Sequence, residues 1–261
     1  MTHAMKHTPT LLILSASLFF LAKLAAQKTP PSDVATHFTP DAQRLETGMF
    51  NYRDLDHGKE VGRSTITIRK PTDTGNYTFL DDSTFAADFS GFHSQRWEAV
   101  ATPAFVPISA RLAFVRDSEI TPVFDLRYSS NRVTGLVIDR KGSRHGTKRS
   151  VDASVPMNTV DQRIDWAAVL AGNLETGQQF EFNVYDPGTG VSRVTGRVGP
   201  LEQVQVPAGT FRAYGIIYQM EKTGRIEHYQ MFASQDFPHV MLREEFPNGV
   251  ITELIQIRES R

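Results

Sequence analysis

Residues 199–257 read GPLEQVQVPAGTFRAYGIIYQMEKTGRIEHYQMFASQDFPHVMLREEFPNGVITELIQI. Val, Ile, Tyr and Phe fill short runs that Gly, Pro or Asn close, which is the composition of strands and their turns. An antiparallel meander is predicted. Taking Lys222-Thr223-Gly224 as a hairpin connection pairs Glu221 with Arg225. That register sets Tyr214, Ile216, Tyr218 and Met220 opposite Phe232, Gln230, His228 and Ile226 on one face. Ala213, Ile217, Tyr229 and Met231 occupy the other. Neither face is plainly polar, so the sheet needs cover on both sides, or one side lines a cavity. Tyr214, Tyr218, His228 and Phe232 are the candidate ligand-binding lining, combining aromatic bodies with polar tips as small-molecule pockets do. The competing reading leaves those tips in solvent at a sheet margin.

The last hairpin turns at Asn248-Gly249, the strongest short turn signal in the chain. A two-residue turn aligns Phe246 with Ile251 and sets Glu244 opposite Glu253. Like charges so placed are destabilising. Either the two form a carboxylate pair with one raised pKa, or the register is shifted and both are satisfied elsewhere.

Working outward, strands are expected at 46–53, 60–69, 76–80, 97–101, 111–116, 123–128 and 132–140. Asp81-Asp82 reads as a turn, and Phe85, Phe89 and Phe92 suit a loop or helical turn on the sheet. After residue 177, Phe180, Phe182 and Val184 alternate with polar neighbours, and Val191–Val198 returns. The single convincing helix signal is Asp161–Gly172, with Ile164, Ala168 and Ala171 on one face and Trp166 as a packing anchor. Such a helix between two β blocks covers a sheet face or plugs a barrel mouth. The fold class is mainly β: one strongly curved antiparallel sheet, an open or half barrel, with one or two short helices packed on or in it.

The chain has 261 residues and a net charge of −1, which argues against nucleic acid as a partner. Cysteine is absent, excluding disulfides, thiol catalysis and Cys-ligated zinc. A basic start, an apolar run at Leu11–Ala22 and small residues at Ala25 and Ala26 resemble a secretory signal over 1–26. The run falls short of the ~20 residues a span needs, so the mature chain is expected in the periplasm and not integral to the membrane. Residues 27–44 read as a polar, Pro-containing linker, and 45–258 as one β-rich domain.

The search for chemistry yields no catalytic constellation, no metal site and no cofactor motif. The histidines are scattered, and neither an HExxH nor a GxSxG pattern occurs. Residues 139–150 concentrate Arg140, Lys141, Arg144, Lys148 and Arg149. They read either as a patch for anionic headgroups or as a solvated hairpin tip.

The segment Leu201–Tyr214, with VPAGTF at Val206–Phe211, resembles a hallmark of an uncharacterised family of secreted Gram-negative bacterial proteins. The resemblance covers residues 45–258 and is strongest from Trp166 onward. The family is similar in fold to the lipoprotein-carrier (LolA-like) superfamily, whose curved sheet wraps short helices and holds acyl chains on its concave face. Where relatives tend to carry Trp after the central hairpin, this chain has Tyr229 and Phe232. The resemblance implies a non-enzymatic periplasmic protein that binds a lipid or other apolar small molecule. An envelope assembly factor with a protein partner is the alternative, and a hydrolase of envelope polymer the third.

Overall fold

The computed structural model of the chain describes residues 38–70, 73–86, 93–116, 119–139 and 146–258. These lie in one unit, Ala35–Arg261. Alternation of period 2 runs through most of it and produces strands β1 (Gly48–Asp56), β2 (Lys59–Arg69), β3 (Tyr77–Phe85), β4 (Ser94–Ala101) and β5 (Pro107–Arg116). The series continues with β6 (Glu119–Ser129), β7 (Arg132–Asp139), β8 (Thr147–Ser154) and the short β9 (Thr159–Asp161). A 3-10 turn at Gln162–Ile164 leads into helix α1 (Asp165–Leu170). Then come β10 (Gln179–Asp186), β11 (Gly190–Val206), β12 (Gly209–Lys222), β13 (Arg225–Ser234), β14 (Met241–Glu245) and β15 (Val250–Arg258).

All fifteen strands form one sheet in the order β8-β7-β6-β5-β4-β3-β2-β1-β15-β14-β13-β12-β11-β10-β9. Each half is a meander, and β1 pairs with β15 to join them. Neighbours are antiparallel except β9 and β10, which run parallel. The sheet curls without closing: its β9 edge touches β5, and the 3-10 turn touches β4. One antiparallel, curved, open sheet with a helix inside it is the architecture the alternation implies.

The helix sits on the concave side because, apart from Asp165, it carries only apolar side chains. The run Ile164–Ala171 is at most 8% exposed at every residue, as a helix with so few polar groups requires. The expected twelve-residue helix is shortened because Asp161 lies in β9 and caps the 3-10 turn through Arg163 N–H. Residues 38–44, read as the end of a linker, belong to this packing. Phe38 stacks on Phe182 with ring centroids 4.8 Å apart. Ala42 is fully buried, and the Asp41 amide donates to the Ala171 carbonyl at 3.0 Å. Arg140, Lys141 and Arg144 of the basic hairpin, with Phe89 and Phe92, lie outside the described residues.

Both hairpin registers at the C-terminal end differ from expectation by one residue. Lys222 pairs with Arg225 across a two-residue connection, so Tyr218 faces Tyr229 and Gln219 faces His228. At the last hairpin the Phe246 amide meets the Val250 carbonyl across Pro247-Asn248-Gly249, with Gly249 at φ 84°. Three-residue loops with a left-handed glycine are a standard hairpin solution. The shift sets Glu244 opposite Thr252 and Arg243 opposite Glu253. The like-charge pair therefore does not form: Glu253 turns outward to Arg53 at 2.9 Å, and Glu244 turns inward.

Gly196 on β11 shows how tightly the concave face is filled. A Cβ there would sit 2.3 Å from the Phe180 ring and 2.6 Å from Tyr218 Cβ. Gly196→Ala is expected to cost about 1–3 kcal/mol by overpacking, lowering the midpoint of thermal unfolding by several degrees. An unchanged midpoint would show that the two rings yield freely.

Candidate functional site

Inward-facing residues of β1–β5, β10 and β12–β15, with the 3-10 turn and the helix from below, line an open pocket of about 430 Å³ on the concave face. Trp97, Leu112, Trp166, Tyr229 and Phe246 supply much of its apolar wall. Tyr218 and Tyr229 stack in parallel with centroids 4.9 Å apart, and Phe246 meets Tyr229 edge-on at 6.1 Å. Both tryptophans of the chain line this one space.

Into the same space project five carboxyl groups, of which Asp186 is paired to Arg163 and four, on four elements, are not. Glu244 of β14, Thr252 of β15 and Asp54 of β1 stand side by side through the register. Thr252 Oγ1 donates to Asp54 Oδ1 at 2.5 Å. Asp81 of β3 accepts from Ser83 Oγ at 2.8 and 2.9 Å. Asp165, the first residue of α1, accepts from the Trp166 amide at 2.7 Å, and Glu244 accepts a short hydrogen bond from the Tyr218 hydroxyl.

Burial governs the protonation of these groups, since desolvation penalises the charged form. It pushes Glu244 up to about 8, helped by the charge of Asp165 and opposed by the Tyr218 hydrogen bond. Asp81 rises to about 7 by desolvation, with Asp54 adding repulsion, and Asp165 rises to about 7 by desolvation. Asp54 is raised for the same first reason. Near neutrality the pocket thus holds carboxylic acids that are wholly or partly protonated.

Arg163 is the cation of the lining. Its Nε and Nη2 meet the two carboxylate oxygens of Asp161 at 2.6 and 2.9 Å, and Nη1 meets Asp186 at 2.6 Å. The guanidinium lies over the Phe124 ring at 4.6 Å. Burial alone would lower its pKa, but Asp161 and Asp186 more than offset that and hold it charged. Its charge is therefore committed to the seam between the 3-10 turn and β10. Among the described residues no three His, Asp or Glu side chains are grouped to hold a metal ion.

The four residues expected to line a pocket fall in different places. Tyr218 lines it. Tyr214 shares Tyr218's face but lies beyond the lining, half-buried beside Leu201 and Ala233. His228 is exposed on the opposite face. Phe232, also on that face, is buried near the guanidinium of Arg243 at 6.0 Å. The cause is the register: a one-residue slip in a strand of period 2 moves each side chain to the other face. Tyr229 takes the place assigned to His228.

Asp54, Asp81 and Asp165 carry no local motif. Asp81 had one available signal: Phe79, Asp81 and Ser83 continue the alternation of Tyr77 through a strand that does not stop at Leu80. Asp82, on the other face, pairs with Arg96.

A family model described as "Protein of unknown function (DUF3108)" matches residues 49–255. The chain belongs to this family. No curated protein matches it. Among solved structures, a β-barrel-like protein of the DUF1849 domain of unknown function from Brucella abortus aligns with a TM-score of 0.53 and 11% identity, covering 83% of this chain and 100% of that one. At that identity the likeness is one of fold, and the shared feature is the barrel-like sheet. An exported-protein candidate with YmcC-like fold from Bacteroides fragilis matches with a TM-score of 0.37 and 11% identity over 85% of this chain and 99% of that one. A lipoprotein candidate from Parabacteroides distasonis gives a TM-score of 0.38 and 10% identity over 84% and 99%. Membership of an uncharacterised family is what the VPAGTF segment led us to expect. Among the described residues no helix is long and apolar enough to cross a membrane.

Proposed function

We propose that this DUF3108 member is an exported, non-enzymatic binding protein of the periplasm whose concave face takes an apolar or lipid-like small molecule. The observation that carries the reading is the pocket of about 430 Å³, in which aromatic and aliphatic side chains alternate with carboxyl and other polar groups. Its size and lining are those of small-molecule sites. The export-like N-terminus and the lipoprotein-carrier resemblance of the sequence support the compartment and the ligand class.

Trp97 and Trp166 provide the direct test, because the chain has two tryptophans and both face the pocket. Titration with a short-chain amphiphile is expected to shift and saturate the intrinsic tryptophan emission with one ligand per chain. Native mass spectrometry of protein taken from its own envelope is expected to show a bound small molecule. No spectral change with any amphiphile, together with a ligand-free native mass, would sink the reading.

A further inference from the structure

The charge balance of the pocket says more about its ligand than its volume does. Asp54, Asp81, Asp165, Asp186 and Glu244 line it, against the single cation Arg163. Arg163 is spent on Asp161 and Asp186. Among the described residues, Asp54, Asp81, Asp165 and Glu244 enter no ion pair. Two of these are deeply buried residues that line the pocket. Asp165 is 8% exposed and Glu244 4% exposed. Asp165 uses Oδ1 on the Trp166 amide and Glu244 uses Oε1 on the Tyr218 hydroxyl. The second oxygen of each has no hydrogen-bond partner among the described residues.

Burying an acid with one hydrogen bond and no counter-charge costs stability, and an apolar or amide side chain of similar size would be cheaper. Such groups kept in a pocket mark a site for a ligand. The aromatic surroundings indicate its charge. Tyr218, Tyr229 and Trp166 offer π surfaces beside Asp165 and Glu244, and aromatic walls with carboxylates attract ammonium groups. An anionic head would meet a surplus of acids and no uncommitted cation in the lining.

We propose that the ligand of this pocket is an organic cation, an ammonium nitrogen on an apolar body, received by Asp165 and Glu244 against the Tyr218–Tyr229 stack. The assignment rests on the reading of this cavity as a ligand pocket. Binding ionises the acids, so each cation that enters sends a carboxyl proton to solvent, and affinity rises with pH. The groups that set this linkage are Asp54 on β1, Asp81 on β3, Arg163 in the 3-10 turn, Asp186 on β10, and Tyr218 and Tyr229 on β12 and β13. Lys222 acts on Asp165 through space while paired to Glu227.

Four probes of equal chain length separate the possibilities in calorimetry and tryptophan fluorescence on the full chain: octylamine, octyltrimethylammonium, octanol and octanoate. The two cations are expected to bind at least tenfold tighter than octanol at pH 8, with octanoate weakest. Titration in buffers of different ionisation heat is expected to show about one proton released per cation at pH 7. Asp165→Asn with Glu244→Gln is expected to abolish the preference and the proton release while keeping octanol binding within about twofold. Spermidine binding as tightly as octylamine would assign the site to free polyamines; octylamine alone would assign it to amine-headed lipids. Octanol matching octylamine, or a cation preference that survives both substitutions, would overturn the proposal and leave the pocket standing. Failure of all the probes would overturn the pocket reading and the proposal with it. If the double variant does not fold, Asp165→Asn alone and the proton count of the unaltered chain decide.

Discussion

Replacing Arg163 with alanine is expected to destabilise the fold more than any single surface change, by about 3–5 kcal/mol, the usual cost of stranding a buried charge. Asp161 is fully buried, and Arg163 meets both of its oxygens. Without the guanidinium, Asp161 keeps the Tyr128 hydroxyl and the Arg163 amide but loses its counter-charge. The same side chain ties the 3-10 turn to β10 through Asp186 and the Tyr185 carbonyl at 3.2 Å. For a domain of this size the loss corresponds to a fall of roughly 6–20 °C in the thermal midpoint. The double variant Arg163→Met, Asp161→Asn is expected to recover much of it, because paired removal of buried charges is far cheaper than single removal. A midpoint within 2 °C of wild type for Arg163→Ala would refute this role.

This ion pair also shows why the plug was only half legible. The apolar residues of Ile164–Ala171 declare a helix packed on the sheet, but nothing in the pattern says that Asp165 is buried with them. That Asp161 belongs to a strand, and that Arg163 folds back onto it, depends on β10 arriving alongside from twenty residues later. Sequence periodicity carries burial; it does not carry which distant strand supplies a counter-charge.

The strands divide in the same way. Thr65–Ile68 and Phe180–Val184 alternate so regularly that their inner and outer faces are fixed before any neighbour is known. Asp81-Asp82 breaks the apolar pattern and looks like a turn, yet the strand runs on, one aspartate inward and one outward. A buried acid is invisible to a hydrophobicity pattern because the pattern assumes polar groups face water. The hairpin turns carry a different ambiguity. KTG and PNG each name a bend without saying whether two or three residues make it, and that one-residue difference decides which face every side chain takes. Moving Glu244 from a repulsive surface pair to the pocket wall is the largest consequence. The like-charge clash with Glu253 in the two-residue register was itself a physical argument against that register.

Raising the pH from 6.5 to 8.5 is expected to lower the stability of the ligand-free protein. Glu244 sits at about 8, and Asp81 and Asp165 at about 7, all pushed up first by desolvation. The native state therefore retains protons that the unfolded chain has already lost at its ordinary carboxylate pKa near 4. Because the unfolded state binds fewer protons in this range, the free energy of unfolding falls as pH rises. The stabilisation from these acids is whole below about pH 4 and is lost progressively until pH passes 7 and 8; the share lost between pH 6.5 and 8.5 is on the order of a few kcal/mol. His239, whose pKa burial lowers, acts in the opposite sense but only below its ordinary 6.5. The exposed acids held down by arginine, Glu60, Asp152 and Glu181, act only near or below pH 4.5. The interval from 6.5 to 8.5 isolates the pocket. Thermal unfolding across it is expected to show a falling midpoint in the native chain and a flatter profile in Glu244→Gln, whose amide keeps the volume and has no proton to lose. An equal slope in the two proteins would remove Glu244 from the account. A cation bound in the pocket should oppose the fall, because a ligand that favours the ionised acids stabilises the native state most where they are ionised. The same side chains that weaken the empty fold at alkaline pH would then tighten its hold on the ligand.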